Sequence, residues 1–138
     1  MSKVIIGLAG LLLGAVVVQF YLAAVGAFDP APTEEAFQPH RVLGYSILAL
    51  AVVVTLVAAV ARMPGRLIGT AGLLVGLVLV QALIRQVAAS FGDASAVGPF
   101  VFGLHAVNGL LIMGVIEMIM RQARQVSQKA AEPTHVAS

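Results

Sequence analysis

Four apolar runs, at about residues 4–27, 40–61, 67–90 and 99–120, occupy most of this 138-residue chain. Each reaches the roughly 20 residues that a helix needs to cross a bilayer. Little chain is left over for a soluble catalytic domain. Charged residues make up only 10% of the sequence, against about a quarter in a soluble domain. The first run resembles a secretory leader, with Lys3 ahead of apolar residues. It is longer than a leader's apolar core and three further spans follow, so it reads as a retained helix. There are no cysteines, which removes disulfides, zinc–thiolate sites, iron–sulfur clusters and covalent c-type haem from consideration. Noncovalent haem is left open.

The net charge of +2 says less than the placement of the charges. Lys3, Arg62, Arg66, Arg121, Arg124 and Lys129 fall at the N-terminus, the second loop and the C-terminal tail. Asp29, Glu34, Glu35 and Asp93 fall in the first and third loops. Basic residues stay on the cytoplasmic side, so both termini are expected there, in a bacterial cytoplasmic membrane. The expectation is an all-α, integral membrane four-helix bundle over residues 1–125, with helices at about 39–61 and 99–123 for the second and fourth spans. Residues 126–138 read as a polar, frayed tail that holds a solvated His135.

The chain repeats itself. "GLAGLLLGAVVVQFYLAAVGA" (7–27) lies over "GTAGLLVGLVLVQALIRQVAA" (69–89) without a gap, identical at eleven of twenty-one positions. Next, "FQPHRVLGYSI" (37–47) lies over "FGLHAVNGLLI" (102–112), where Phe, His, Val, Gly and Ile coincide. The chain is therefore a duplicated helical hairpin. Both copies start on the same side, so they form a parallel repeat about a pseudo-twofold axis along the membrane normal. Under that axis His40 matches His105, Gln19 matches Gln81, and Gly44 matches Gly109.

Two histidines related by a twofold can approach one metal from opposite sides, as the axial ligands of a six-coordinate haem do. Gly44 and Gly109 follow one turn after their histidines and share their helix face. The expectation is that they leave room for a flat macrocycle. Gln19 and Gln81 suit the hydrogen bond that a ligating imidazole's other nitrogen requires, or a bond to a propionate. Arg85 and Arg41 are candidate propionate partners, and Arg85 also has the plain reading of a cation snorkelling to headgroups. Tyr45 and Asn108 supply polar atoms at similar depth. Tyr45, like Tyr21, also reads as an interfacial anchor, and Asn108 as an interhelical hydrogen-bond residue. The histidines themselves have a bland reading as an interfacial residue and a cross-helix hydrogen-bond partner. The glycines of "GLAGLLLG" and "GTAGLLVG" are expected to let helices pack closely. Glu117 is either a proton-relay group or the i,i+4 partner of Arg121. No basic patch with interleaved aromatics supports nucleic-acid binding.

With these residues in place the chain resembles a family of small, uncharacterised four-helix membrane proteins common in actinobacteria. The resemblance rests on Val18–Phe20 with Leu22, His40 with Leu43–Tyr45, Gln81, and His105 with Val107–Gly109. It covers nearly all of the chain except the tail and implies no established activity. The site and architecture are also similar to membrane b-type cytochromes. That similarity implies one haem b, with His40 and His105 as iron ligands, and electron transfer with a redox protein or a quinone. A second histidine pair, needed for conduction across the whole bilayer, is missing. The competing expectations are a cofactor-free scaffold or accessory subunit, and a small transporter with a polar site at Gln19, Gln81 and Arg85. Homo-oligomerisation and membership of a larger membrane complex are both left open.

Overall fold

A computed structural model describes residues 1–92 and 96–131. Asp93, His135 and the last seven residues of the expected tail lie outside the described residues. The elements are α1 (Ser2–Phe28), α2 (Thr33–Ala36), α3 (Gln38–Val60), α4 (Gly65–Ser90) and α5 (Val97–Lys129). All but α2 are long and apolar enough to cross a membrane. The one-turn α2 interrupts what the sequence reads as a plain connector. The last helix continues through Val126–Lys129, residues that the sequence reading assigns to the tail.

Local chemistry sets the ends. Asp29 leaves the helical region (φ −76°, ψ 129°), as a residue before proline must, and its carboxylate accepts from the Ala31 N–H at 2.9 Å. At the end of α3, Arg62 takes φ 49°, its N–H bonds the Ala59 carbonyl, and the Met63 N–H bonds the Ala58 carbonyl. That is a Schellman closure with arginine where glycine is usual. It turns the chain sharply enough for α3 and α4 to run antiparallel as neighbours.

The four long helices form a ring in which α1 and α4 each pack against both α3 and α5. Among the described residues the backbones of α1 and α4 do not approach one another, nor do those of α3 and α5. These are the two diagonals. Equivalent helices of the two repeats thus face each other across the bundle, as a twofold along its axis requires.

The buried seam repeats at spacings of four and three residues. It runs through Ile5, Ala9, Leu12 and Val16 on α1, and through Ile47, Ala51, Val54 and Ala58 on α3. On α4 it takes Leu67, Ala71 and Leu74, and on α5 Ile112, Ile116, Ile119 and Ala123. An alternation of this kind is the signature of coiled-coil-like, left-handed packing. The sequence offsets of the repeat carry the first set onto the second almost residue for residue.

This core fills only one end of the bundle, the end that carries Lys3, Arg62, Arg66, Arg121, Arg124 and Lys129; we call it the basic end. It stops at the level of Val16, Ile47, Leu74 and Ile112. Toward the acidic end, the buried described residues are Gly26, Ala36, Gly98, Asn108 and Gly109. Only Asn108 among them carries more than a methyl group. Over a length on the order of 15–20 Å, by the helical rise, the seam of the bundle has almost no side chain sealed from its surroundings.

One packing expectation needs correction. A Cβ added at Gly7, Gly10, Gly14, Gly69, Gly72 or Gly76 would meet nothing within 4 Å. These glycines face outward and do not bring the helices of this chain together, because the alanines and leucines beside them hold the seam. Glu117 and Arg121 pair at 3.3 Å, the second of the two readings given above.

The seam assignment has a direct test. Replacing the fully buried Ile116 by alanine should cost about 2–5 kcal/mol. Replacing the outward-facing Leu110, 63% exposed, should stay within about 0.5 kcal/mol. Reversible unfolding in mixed micelles measures both, and equal effects would reject this core.

Candidate functional site

The four-three spacing does not end where the apolar core ends. Continued along α1 from Leu12 and Val16, it reaches Gln19, and along α4 from Leu74 it reaches Gln81. Continued backward from Ile47 and Ile112, it reaches Gly44 and Gly109, then His40 and His105. Six of the ten site candidates from the sequence are therefore seam positions in which polar or side-chain-free residues replace aliphatic ones.

Gln19 joins the two helices of its repeat through side chain and backbone, and Gln81 through its backbone carbonyl. Gln19 Nε2 donates to the His40 backbone carbonyl at 2.8 Å. In return, His40 Nδ1 lies 3.0 Å from the Gln19 backbone carbonyl. The second repeat places His105 Nδ1 3.3 Å from the Gln81 carbonyl. A backbone carbonyl can only accept, so Nδ1 is the protonated nitrogen in both rings. Nε2 is then the nitrogen with the lone pair when the ring is neutral. A ligating histidine usually fixes its tautomer in this way.

The two imidazoles meet across the α3–α5 diagonal, with ring centroids 6.1 Å apart and planes tilted by 42°. Two metal–nitrogen bonds of about 2.0 Å plus the two ring radii give roughly the same separation for imidazoles sharing one metal. Each ring also leans on the phenylalanine three residues before it. Phe37 meets His40 edge-on with centroids 6.1 Å apart, and Phe102 stacks on His105 at 5.1 Å. The phenylalanines repeat with the histidines, so Phe-x-x-His-x-Val-x-Gly is the duplicated unit.

The glycines have a different job from the one expected. A Cβ at Gly44 would sit 3.1 Å from Gln19 Nε2. At Gly109 it would sit 3.0 Å from Phe20 Cζ and 3.6 Å from Gln81 Nε2. The space that the glycines open is thus taken by glutamine amides and by Phe20, side chains of the chain itself. The carbonyl oxygens Oε1 of Gln19 and Gln81 are buried and have no hydrogen-bond partner. The Gln19 amide cannot simply be turned over, since its nitrogen is held by the His40 carbonyl.

The remaining candidates lie elsewhere. Asn108 is buried, but its amide donates to the Leu77 carbonyl at 2.8 Å and so ties α5 to α4. Tyr45 is 71% exposed and faces away from the bundle, the anchor reading of the two. Arg41 and Arg85 converge on Glu34, at 3.2 and 3.6 Å, and Arg41 also donates to the Glu34 backbone carbonyl. Glu34 thus links α2 to α3 and α4 over the acidic end. Sequence reasoning passed over Glu34 because nothing in an acidic, proline-rich loop distinguishes one glutamate from its neighbour.

A family model matches residues 19–89, just over half of the chain. The chain belongs to DUF6220, a family of unknown function. The matched segment of this DUF6220 member begins at Gln19 and includes His40, Gly44, Glu34, Gln81 and Arg85. It ends before α5, which carries His105. No curated protein and no solved structure matches the chain.

The contrast between the two glycine classes is testable. Gly109→Ala forces the Phe20 ring aside and should cost about 1–3 kcal/mol, the usual range for overpacking. Gly10→Ala adds a methyl to open space and should be neutral or stabilise by up to about 1 kcal/mol through helix propensity. Thermal unfolding of the two variants in the same detergent checks the order, and a reversed order would mean that the amide layer is not packed as described.

Proposed function

We propose that this chain is a multi-pass protein of a bacterial cytoplasmic membrane, with both termini inside, that holds one b-type haem between His40 and His105. The observation that carries the reading is the opposed imidazole pair, each Nδ1 committed to a backbone carbonyl and each Nε2 left with its lone pair. A porphyrin brings four ligands of its own, so two imidazoles would be enough to complete its set. The pair also stands in the half of the bundle where, among the described residues, the seam has almost no sealed side chains.

In this reading His40 and His105 would hold the haem iron, with His40 kept in place by its exchange of hydrogen bonds with Gln19 and His105 by the Gln81 backbone carbonyl. Arg41 and Arg85 share one carboxylate between two guanidiniums, which leaves a positive charge in surplus for a propionate. The haem, when bound, supplies one-electron chemistry. A single haem near one face fits exchange with a quinone or a redox protein on that side better than conduction across the membrane.

Expression with ample iron and haem precursor, purification in detergent and redox difference spectroscopy test this. The wild type should show a six-coordinate, low-spin b-type spectrum with one haem per chain. His40→Ala and His105→Ala should each lose that spectrum, with partial return on adding imidazole. A colourless wild type would favour the scaffold or accessory role, and a spectrum that survives both substitutions would remove these histidines as ligands.

A further inference from the structure

At the basic end, far from the histidines, the first turn of α4 and the last turns of α5 line a half-open cavity of about 230 Å3. Its walls include Arg66, Leu67, Gln122, Gln125 and Lys129. Gln122 is 8% exposed, and its side chain is fixed by a relay. The Thr70 hydroxyl donates to the Arg66 carbonyl at 2.8 Å, so its oxygen is left to accept. Gln122 Nε2 supplies that hydrogen bond at 3.1 Å. In this arrangement the amide nitrogen is committed to Thr70, and Gln122 Oε1 is buried without a partner. An unpaired buried acceptor is destabilising, and a donor brought by a ligand would relieve it.

The rest of the cavity calls for an anion. Arg66 and Lys129 contribute two positive charges, and among the described residues neither has an acidic partner. Helix α4 starts here on Pro64 without a side-chain cap. The N–H groups of Leu67 and Ile68 turn back to the Pro64 carbonyl, which leaves those of Gly65 and Arg66 for an outside acceptor. The start of a long helix favours negative charge for this reason.

We propose that this cavity binds the headgroup of an acidic phospholipid whose phosphodiester carries a free hydroxyl, as in phosphatidylglycerol. The phosphate takes the two cations and the start of α4, and the headgroup hydroxyl donates to Gln122 Oε1. The inference rests on the four helices spanning a membrane and is independent of whether haem is bound. It commits to lipid over soluble phosphate because the cavity lies where the apolar spans α4 and α5 pass into basic residues, at headgroup level. The twofold repeat offers no second copy of it. Arg66, Thr70 and Gln122 correspond to Val4, Leu8 and Val57 in the first hairpin, so the expected stoichiometry is one lipid per chain.

Native mass spectrometry of the delipidated full chain, titrated with defined lipids, tests the site. Phosphatidylglycerol should bind at least about tenfold more tightly than phosphatidylcholine, with one tight equivalent. Phosphatidylmethanol has the same phosphodiester charge without the hydroxyl and should bind more weakly than phosphatidylglycerol. Gln122→Leu should abolish that difference between the two acidic lipids. Arg66→Ala with Lys129→Ala should bring phosphatidylglycerol to the phosphatidylcholine level, while Arg121→Ala with Arg124→Ala, outside the cavity, should leave it unchanged. Circular dichroism establishes that each variant retains its helices; if the Arg66/Lys129 variant does not fold, the wild-type ranking and Gln122→Leu decide. Equal binding of all lipids, equal losses in the two arginine-containing double variants, or a Gln122→Leu protein that still prefers the hydroxylated headgroup would each overturn the proposal. Displacement of the bound lipid by inorganic phosphate at equal concentration would overturn the choice of lipid as the ligand.

Discussion

A polar side chain on the seam of four helices long and apolar enough to cross a membrane finds few partners besides the bundle's own backbone. Gln19 and His40 use it in two bonds that run in opposite directions between α1 and α3, and Gln19 Oε1 is left without a partner. Each backbone carbonyl receives a side chain from the other helix. The geometry works only if α1 and α3 come close at that level, which is why Gly44 has no side chain where the Gln19 amide lies. The glycine, the glutamine and the histidine thus form one unit. The second hairpin repeats half of it: His105 Nδ1 meets the Gln81 backbone carbonyl, without a return bond from the Gln81 amide to the His105 carbonyl.

The same arrangement divides the molecule in two. At the basic end, aliphatic residues interlock along the seam and carry the packing. Toward the acidic end, polar residues and glycine occupy the seam, and the helices are held by hydrogen bonds and by the Glu34 link to Arg41 and Arg85. These are exposed ion pairs of modest worth, typically under about 1 kcal/mol each. The stable half therefore serves as a frame for the other. A bundle built this way can open or fill its polar half without disturbing the interlocked seam beneath it.

Much of this was legible in the sequence because duplication leaves a signal that survives low complexity. Leucine and valine coincide by chance in any two apolar runs, but Gln19 with Gln81 and His40 with His105 do not. Periodicity then places them on one seam, since they continue the four-three spacing of Ile5, Leu12, Ile47 and Ile112. What the sequence did not carry was direction. Gly44 and Gly10 are both helical glycines, yet one faces the Gln19 amide and the other faces outward, and only the rotation of each helix in the bundle separates them. Likewise Asn108, adjacent to the matched Gly109, turns to the Leu77 carbonyl and not to the histidines. Glu34 and Gln122 went unnoticed because their partners, Arg85 and Thr70, lie on a different hairpin or far along the chain.

Where the two hairpins differ is as informative as where they agree. Asn108, Arg85 and Gln122 in the second stand opposite Leu43, Ala23 and Val57 in the first, and Arg41, Tyr45 and Thr55 in the first stand opposite Ala106, Leu110 and Met120 in the second. Phe20 reaches Gly109, whereas its counterpart is Ala82, which has no ring to place against Gly44. The histidines inherit this asymmetry. His40 sits 3.0 Å from its carbonyl with a phenylalanine at its edge, and His105 sits 3.3 Å from its own with a phenylalanine stacked on its face. The pair is thus symmetric in position and unequal in its surroundings, with a phenylalanine edge-on to the ring on α3 and one stacked on the ring on α5.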